Sequence, residues 1–291
     1  MCFIANDAVY DKTVAFLNSL HTHSSYLPVC WIPFDDRCRR VRALAESFGC
    51  TEFNDLGVLR KCDELSLIFH SEKRGAYRKF ALWSGPFERF VYIDVDTVVV
   101  HDIGFAFDLL DDFDILTSHS NMPQIRRWVW KDSIDDSGLL STEQIAFAAN
   151  TGFIVSSRRF GNFELLASRV EAAAAARQHM ALQCMEQPAL NHAIVTSGKR
   201  YGSISELVRK GSLRPAWSEL HAGTGGWRVK GGQIKNLNPF SRRRVFLVHW
   251  AGFRNPNTFP YRALWQHYRD MKCAGRFRHP HPQQGGAVIV D

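Results

Sequence analysis

The stretch FVYIDVDTVVV, from Phe90 to Val100, places two aspartates one residue apart inside an apolar run. Its β-branched and aromatic residues predict a buried β-strand. Because side chains alternate between the two faces of a strand, Asp94 and Asp96 are predicted to point to the same side. A buried carboxylate is unfavourable unless a cation or hydrogen-bond donors compensate its charge. The stretch therefore predicts a pair of carboxylates that holds a cation.

The segments on either side of this stretch predict an α/β fold. Upstream, MCFIA and LPVCWIPF are strand candidates, and each precedes a segment of helical periodicity, over 9–20 and 41–48. Further helices are predicted over 73–83, 163–180 and 186–195, further strands over 112–118, 150–158 and 244–250, and irregular structure over 203–239. The alternation of strands and helices predicts a central sheet between layers of helices.

Composition and charge exclude several classes of protein. Of the 291 residues, 45% are hydrophobic and 22% are charged, a balance typical of globular domains. The net charge of +7 favours anionic ligands in general, but the arginines are too scattered to predict a nucleic-acid interface. No apolar run is long enough to cross a bilayer, and MCFIAND reaches a charge too early for a signal peptide. The seven cysteines form no C-x-x-C pair, so we expect reduced thiols in a cytoplasmic protein.

Two carboxylates on one side of a strand form a hard oxygen site that suits Mg²⁺ or Mn²⁺. Two enzyme families carry such a pair. GT-A glycosyltransferases use a D-x-D motif to hold a metal against the diphosphate of a nucleotide sugar. Haloacid-dehalogenase phosphatases use the first aspartate of D-x-D-x-[TV] as a nucleophile. Asp94, Asp96 and Val98 satisfy both patterns, so the motif alone leaves both functions open.

The surrounding sequence favours the first family. A complete β-α-β-α unit precedes the motif, whereas the phosphatase motif usually lies near the N-terminus, and the acidic stretch DLLDDFD follows too closely to leave room for the phosphatase lysine. Four segments also resemble, in order, the GT-A glycosyltransferases of the glycogenin and galactosyltransferase type, which form glycosyltransferase family 8. They are FIANDAVYDKTVAFLNSL, YRKFALWSGPFERFVYIDVDTVVV, NTGFIVSS with EQPALN, and HWAGFRNP.

The resemblance implies a single GT-A domain over residues 1–275, with a mixed and mainly parallel Rossmann-like sheet. Its nucleotide-binding half would cover 1–118, its sugar and acceptor half 119–275, and a flexible tail 276–291. The implied activity is the Mn²⁺- or Mg²⁺-dependent transfer of a sugar from a nucleotide sugar, by resemblance a UDP-sugar, with retention of configuration. The donor sugar, the acceptor and the oligomeric state stay open.

The resemblance also implies roles for individual residues. The metal ligands are Asp94, Asp96 and His249. His249 lies near the end of a late predicted strand, where its imidazole could bind the metal. The nucleotide-binding residues are Ala5, Asn6, Tyr10, Arg78, Val95 and Gly252. The sugar-binding residues are Asn150, Thr151, Glu186 and Gln187, and the catalytic residues are Gln187, Glu186 and Arg254. Core packing remains the alternative for His249 and Tyr10, a solvated helix face for Arg78, and turn chemistry for Asn150.

Two positions depart from the family pattern. Pro188 stands where the family usually has Asp, and Asn255 stands where it has Lys. We expect the neighbouring Arg254 to stabilise the departing diphosphate, because a guanidinium matches phosphate geometry. A non-catalytic protein that binds nucleotide sugars remains a further alternative.

The acceptor side is less defined. Trp217 and Trp227 are candidates because aromatic faces stack on sugar rings, although anchoring the surrounding loop explains them equally well. The stretch 121–140 is interpreted as a lid or a wall of the acceptor site. The positive charge allows peripheral membrane contact, but no amphipathic anchor helix supports it.

Overall fold

The computed structural model describes residues 1–230, 232–238, 243–272 and 275–278. Its strands are β1 (Cys2–Ala5), β2 (Cys30–Pro33), β3 (Thr51–Glu52), β4 (Arg89–Ile93), β5 (Thr97–Val99), β6 (Ile115–Thr117), β7 (Phe153–Ser157), β8 (Tyr201–Ser203), β9 (Ala216–His221), β10 (Trp227–Lys230), β11 (Gln233–Asn236) and β12 (Arg243–His249). Its α-helices are α1 (Tyr10–Ser24), α2 (Arg39–Ser47), α3 (Leu56–His70), α4 (Phe105–Asp108), α5 (Pro123–Arg126), α6 (Thr142–Phe147), α7 (Phe163–Ala172), α8 (Gln187–Val195), α9 (Ile204–Arg209) and α10 (Arg262–Arg269). The 3₁₀ segments are Asp7–Val9, Gly75–Ser84, Leu109–Asp111, Asp132–Ile134, Ala173–His179, Leu182–Cys184 and Pro256–Thr258.

Seven strands form the central sheet, in the order β3-β2-β1-β4-β7-β6-β8. β7 runs antiparallel to both of its neighbours, and the other neighbouring pairs are parallel. The predicted α/β fold with a mixed, mainly parallel sheet is therefore confirmed. β5, β12 and β9 form a second sheet, and β10 and β11 form a hairpin.

Both faces of the central sheet are buried. In β1, Cys2 and Ile4 pack on the side of α3, whereas Phe3 and Ala5 pack on the side of α1 and α2. This two-sided burial explains why the strands are almost continuously apolar. A third apolar cluster joins α10 to the second sheet through Trp265, Val98 and Val248 among others.

The strand predicted over the opening stretch is broken in its middle. β4 ends at Ile93 in the central sheet, and β5 begins at Thr97 in the second sheet. Asp94 to Asp96 form the bend between them, which is held by hydrogen bonds from Asp94 N to Gly152 O (2.8 Å) and from Trp250 N to Asp96 O (2.9 Å). The two carboxylates converge because the chain turns here, so the argument from strand alternation was wrong.

Several other elements differ from the sequence prediction. Helix α3 was missed, although Asp55 caps it through Val58 N at 3.0 Å. The helix predicted over 73–83 is a 3₁₀ segment, and the one over 163–180 changes from α to 3₁₀ after Ala172. The stretch 203–239, predicted to be irregular, contains α9 and strands β9 to β11.

The predicted flexible tail begins too early. Phe277 is buried, its N–H bonds to Phe48 O at 2.8 Å, and the two rings lie 5.9 Å apart. The folded chain therefore includes Phe277, and residues 279–291 of the predicted tail lie outside the described residues.

Two further features bear on membrane contact and redox state. Across the described ranges, no helix combines the length and the apolar character that a membrane span needs. The six described cysteines are thiols, and Cys2, Cys30, Cys38 and Cys62 are buried.

A buried ion pair ties α3 to the segment before β4. Arg78 donates from Nε to Asp63 Oδ1 at 2.9 Å and from Nη2 to Asp63 Oδ2 at 3.0 Å. Its Nη1 donates to Pro33 O at 3.0 Å, at the end of β2. The guanidinium predicted to contact the nucleotide is thus occupied within the fold.

We expect Arg78→Leu to lower the free energy of unfolding by about 3 kcal/mol, because it leaves the Asp63 carboxylate buried without its cation. The double variant Arg78→Leu/Asp63→Leu should recover most of this loss, because it removes both charges. Urea unfolding followed by circular dichroism measures both. An Arg78→Leu protein of unchanged stability that no longer binds a nucleotide would restore the phosphate-binding role.

Candidate active site

The bend at the end of β4 meets the end of β12. Antiparallel pairing places His249 opposite Thr97, and its Nε2 lies 3.1 Å from Asp96 Oδ1. Asp94, Asp96 and His249 each offer one ligand atom, and these atoms all lie within 4.8 Å of one another. Two carboxylates and an imidazole suit a divalent ion such as Mg²⁺ or Mn²⁺. Three protein ligands on an octahedral ion would leave positions for oxygens of a second molecule.

Gly152 makes room for this convergence. A Cβ built on Gly152 would lie 2.4 Å from His249 Cε1 and 3.0 Å from Asp94 Oδ2. Glycine is therefore required by close packing at the start of β7, immediately after the predicted sugar-binding residues Asn150 and Thr151. The sequence analysis did not identify this position.

The imidazole of His249 lies between two carboxylates. Its Nδ1 is 2.6 Å from Glu219 Oε1, on the side opposite Asp96. Burial disfavours the imidazolium, but the charges of Asp96 and Glu219 outweigh burial and raise the pKa of His249 well above its usual value. Burial also opposes ionisation of both carboxylates, but His249 lowers the pKa of Asp96 and that of Glu219 to about 2. A metal ion at Nε2 would replace a proton there.

Lys79 connects the aspartate pair to the start of α8. It is 4% exposed, and its Nζ lies 3.4 Å from Asp94 Oδ1 and forms an ion pair with Glu186 Oε1. It also donates to Thr151 O at 3.2 Å, and Tyr92 Oη donates to Asp94 Oδ1. Burial disfavours the ammonium, but Asp94 and Glu186 outweigh it and raise the pKa of Lys79.

Two adjacent basic residues before the D-x-D motif have different partners. The sequence analysis named Arg78, and not Lys79, as a nucleotide-binding residue. Successive side chains leave any helix in different directions, and in this 3₁₀ segment the two side chains reach different parts of the structure. Lys79 reaches the site, and Arg78 reaches Asp63.

The residues Glu186 and Gln187 open α8 beside this lysine. Burial, opposed by Lys79 and assisted by Asp94, raises the pKa of Glu186. Gln187 Oε1 accepts from Thr151 N at 3.2 Å, and its Nε2 donates to Trp128 O at 3.1 Å. The structure thus brings the predicted sugar-binding and catalytic residues of α8 next to the aspartate pair.

Comparison with solved structures shows which fold this is. One similar solved structure is that of the bifunctional glycosyltransferase WbbM. It has a TM-score of 0.60 and 13% identity, over 92% of this chain and 49% of WbbM. The galactosyltransferase LgtC, in complex with donor and acceptor sugar analogues, has a TM-score of 0.58 and 14% identity, over 92% of this chain and 94% of LgtC. The chain has the GT-A glycosyltransferase fold.

Other comparisons set limits on this result. The glycosyltransferase GlyE of Streptococcus pneumoniae TIGR4 has a TM-score of 0.51 and 13% identity, over 93% of this chain. The chain spans about half the length of WbbM (49%) and 60% of GlyE. No protein-family profile and no curated protein sequence matches this chain. The structural likeness therefore establishes the GT-A fold, and the activity follows only as a proposal.

Two of the predicted site residues, Tyr10 and Arg254, lie at one cavity. This cavity of about 320 Å³ is lined by Asp7, Ala8, Val9, Tyr10, Asp11, Lys12, Arg40, Arg254 and Pro256. The guanidinium of Arg40 covers the Tyr10 ring at 3.9 Å from its centroid. Arg254, which the sequence analysis expects to stabilise the departing diphosphate, lines the same cavity.

The other predicted nucleotide-binding residues are not among those that line this cavity. Ala5 and Val95 are buried, and Gly252 has a positive φ of 81° that favours glycine. Asn6 accepts from Ala8 N at 3.1 Å as a helix cap and donates to Asp35 Oδ2 at 2.9 Å. Its side chain is therefore engaged in the fold.

The acceptor candidates differ in how exposed their side chains are. Trp217 is 6% exposed and stacks on Phe105 at 4.8 Å between ring centroids, so it is a packing residue and its proposed role in acceptor binding loses support. Trp227 is partly exposed in β10. Trp128 is 45% exposed, and its carbonyl is hydrogen-bonded to Gln187. The stretch 121–140 thus contributes an exposed aromatic next to the start of α8.

We expect Gly152→Ala to weaken Mn²⁺ binding about tenfold, because the added Cβ displaces His249 from the aspartates. Titration of Mn²⁺ followed by electron paramagnetic resonance measures the affinity. Gly225→Ala is the matched control, because its Cβ would meet no atom within 4 Å. Equal Mn²⁺ affinity in the Gly152→Ala variant and the wild type would contradict this account of the site.

Proposed function

We propose that this protein is a metal-dependent glycosyltransferase that uses a nucleotide sugar, with a UDP-sugar as the first donor to test. The observation that carries the proposal is the position of one cluster. Asp94, Asp96 and His249 lie at the bend of a GT-A fold, and Lys79 joins them to Glu186. LgtC and GlyE, which share the fold, are described as glycosyltransferases.

Each part of the cluster has a chemical task in this proposal. A divalent ion held by Asp94, Asp96 and His249 would supply positive charge to the donor diphosphate. Arg254 would contact the diphosphate from the neighbouring cavity, where a guanidinium can form two parallel hydrogen bonds with phosphate. Lys79 pairs with the carboxylates of Asp94 and Glu186 and would hold them in place.

Glu186 and Gln187 would face the donor sugar. The Glu186 carboxylate is paired with Lys79, which favours attack by the acceptor hydroxyl over a covalent bond between sugar and enzyme. Gln187 is fixed by Thr151 and Trp128, so its amide would be positioned near the anomeric carbon. A structure of LgtC described as an active-site mutant replaces a glutamine with glutamate. These contacts support a retaining transfer by same-face attack.

The alternatives receive less support. A phosphatase would need Asp94 free as a nucleophile, but Asp94 Oδ1 is engaged by Tyr92 and Lys79. A non-catalytic binding protein would bind UDP and metal without releasing sugar from any UDP-sugar. The acceptor stays undefined. We also propose a cytoplasmic location, which the free thiols of the described cysteines support.

Calorimetric titration with UDP tests the donor site. We expect Mn²⁺ to strengthen UDP binding, and Asp96→Ala to abolish this gain because the variant removes one ligand of the metal. Asp112→Ala, which changes an exposed aspartate, is the control. If UDP does not bind with or without Mn²⁺, the UDP assignment is wrong, and GDP and p-nitrophenyl phosphate are tested next.

Lys79→Met tests the contribution of the buried ammonium. We expect hydrolysis of the accepted UDP-sugar to slow about a hundredfold, because the variant removes a preorganised charge from the reaction site. Lys61→Met, at an exposed ion pair with Glu171, should leave the rate unchanged. The variant Lys79→Met/Glu186→Gln removes the unpaired carboxylate, so the melting temperatures of the single and double variants show how much of the loss is a folding defect. Hydrolysis by Lys79→Met at the wild-type rate would refute this role.

A further inference from the structure

Glu219 is a buried carboxylate that the proposed reaction does not use. It lies in β9, is 3% exposed, and its Oε1 is 2.6 Å from Nδ1 of His249. A buried carboxylate is costly unless its partners are well placed. The closeness of this contact and the depth of Glu219 raise the question of what the carboxylate does for the imidazole.

The register of the second sheet produces this contact. β9 runs parallel to β12, with Glu219 paired to Leu247 and His221 paired to His249. Because residues two apart share a face of a strand, the side chains of Glu219 and His249 lie on the same face as diagonal neighbours. The contact thus depends on strand pairing between segments thirty residues apart in the chain.

We infer that Glu219 is a positioning residue that keeps the proton of His249 on Nδ1 and turns Nε2 toward Asp94 and Asp96. This inference rests on the proposed metal site. A carboxylate can only accept a hydrogen bond, so the Nδ1–H form of the ring is the one that Glu219 stabilises. Histidine ligands of metals commonly use their other nitrogen in this way, and the partner orients the ring.

A second contact extends this arrangement to the predicted sugar site. Asn150 Nδ2 donates to Glu219 Oε1 at 3.3 Å, and Asn150 Oδ1 accepts from Gly152 N at 2.9 Å. One carboxylate oxygen therefore contacts both the metal-facing histidine and the turn before β7. Glu219 fixes these two groups relative to each other.

A neutral isostere separates positioning from simple packing. In Glu219→Gln the side chain keeps its size, but its amide can also donate to Nδ1, which would leave the proton on Nε2. We expect Mn²⁺ affinity, measured by electron paramagnetic resonance, to fall about tenfold or more. Glu219→Leu should lose more affinity, because it offers no acceptor.

Asp114→Asn is the matched control for removing a buried carboxylate. Asp114 accepts from Arg200 N at 3.0 Å and directly precedes β6 of the central sheet, whereas Glu219 lies in the second sheet. This variant is expected to lower the melting temperature without changing Mn²⁺ affinity. If Glu219→Gln behaves like Asp114→Asn, Glu219 only supports the fold and the inference is wrong.

A measurement on the unaltered protein covers the case in which the variants do not fold. Long-range ¹H–¹⁵N spectra of the Mg²⁺-saturated protein should show His249 with a proton on Nδ1 and none on Nε2. The opposite tautomer would overturn the inference. Asp96→Ala and His249→Ala tell the two failures apart: if both bind Mn²⁺ as the wild type does, the proposed metal site fails. If they lose binding and Glu219→Gln does not, only the role of Glu219 fails.

Discussion

The bend that carries the chain from β4 into β5 is the constraint on which the site depends. The main chain must leave the central sheet at Ile93 and enter the second sheet at Thr97 within three residues. The carboxylates of Asp94 and Asp96 therefore lie where the two sheets meet. β12 joins this point because it pairs with β5, and its last residue is His249. Gly152 then has no space for a side chain.

The charges that gather at this bend are unbalanced. Asp94, Asp96, Glu186 and Glu219 contribute four carboxylates, and Lys79 contributes one ammonium. With His249 neutral, this cluster carries three negative charges, and a divalent ion would reduce the excess to one. A diphosphate is itself an anion, so it would be repelled by this cluster without the cation. Two of these carboxylates, Asp96 and Glu219, also raise the pKa of His249, because they stabilise its positively charged, protonated form.

The sequence predicted the parts of this site that rest on local patterns. The D-x-D motif, NTGF, EQ and the histidine at the end of a late strand were each recognisable from neighbouring residues, and the structure brings them together. Other parts depend on long-range geometry. Lys79 reaches the site because its partners Asp94 and Glu186 come from distant segments, and the contact of Glu219 follows from the pairing of β9 with β12.

Helix α3 was missed for a different reason, since it could have been predicted from local sequence. Its signals were local: Asp55 caps it, and Leu59, Cys62 and Leu65 recur on one buried face. The helix could have been predicted from the sequence, and with it the buried Asp63 that occupies Arg78. Knowing α3 would have removed Arg78 from the nucleotide-binding residues and directed attention to Lys79.

The two departures from the family pattern are consistent with this charge balance. Pro188 lies buried in the first turn of α8, where proline fits helix geometry without losing a hydrogen bond. Unlike the usual aspartate, proline adds no negative charge at this position. Asn255 accepts from Asn257 N at 2.9 Å as a cap, while Arg254 lines the cavity beside Tyr10. In the proposed reaction, Arg254 would supply the cation at the diphosphate one residue earlier in the chain, as a guanidinium that stays charged at any physiological pH.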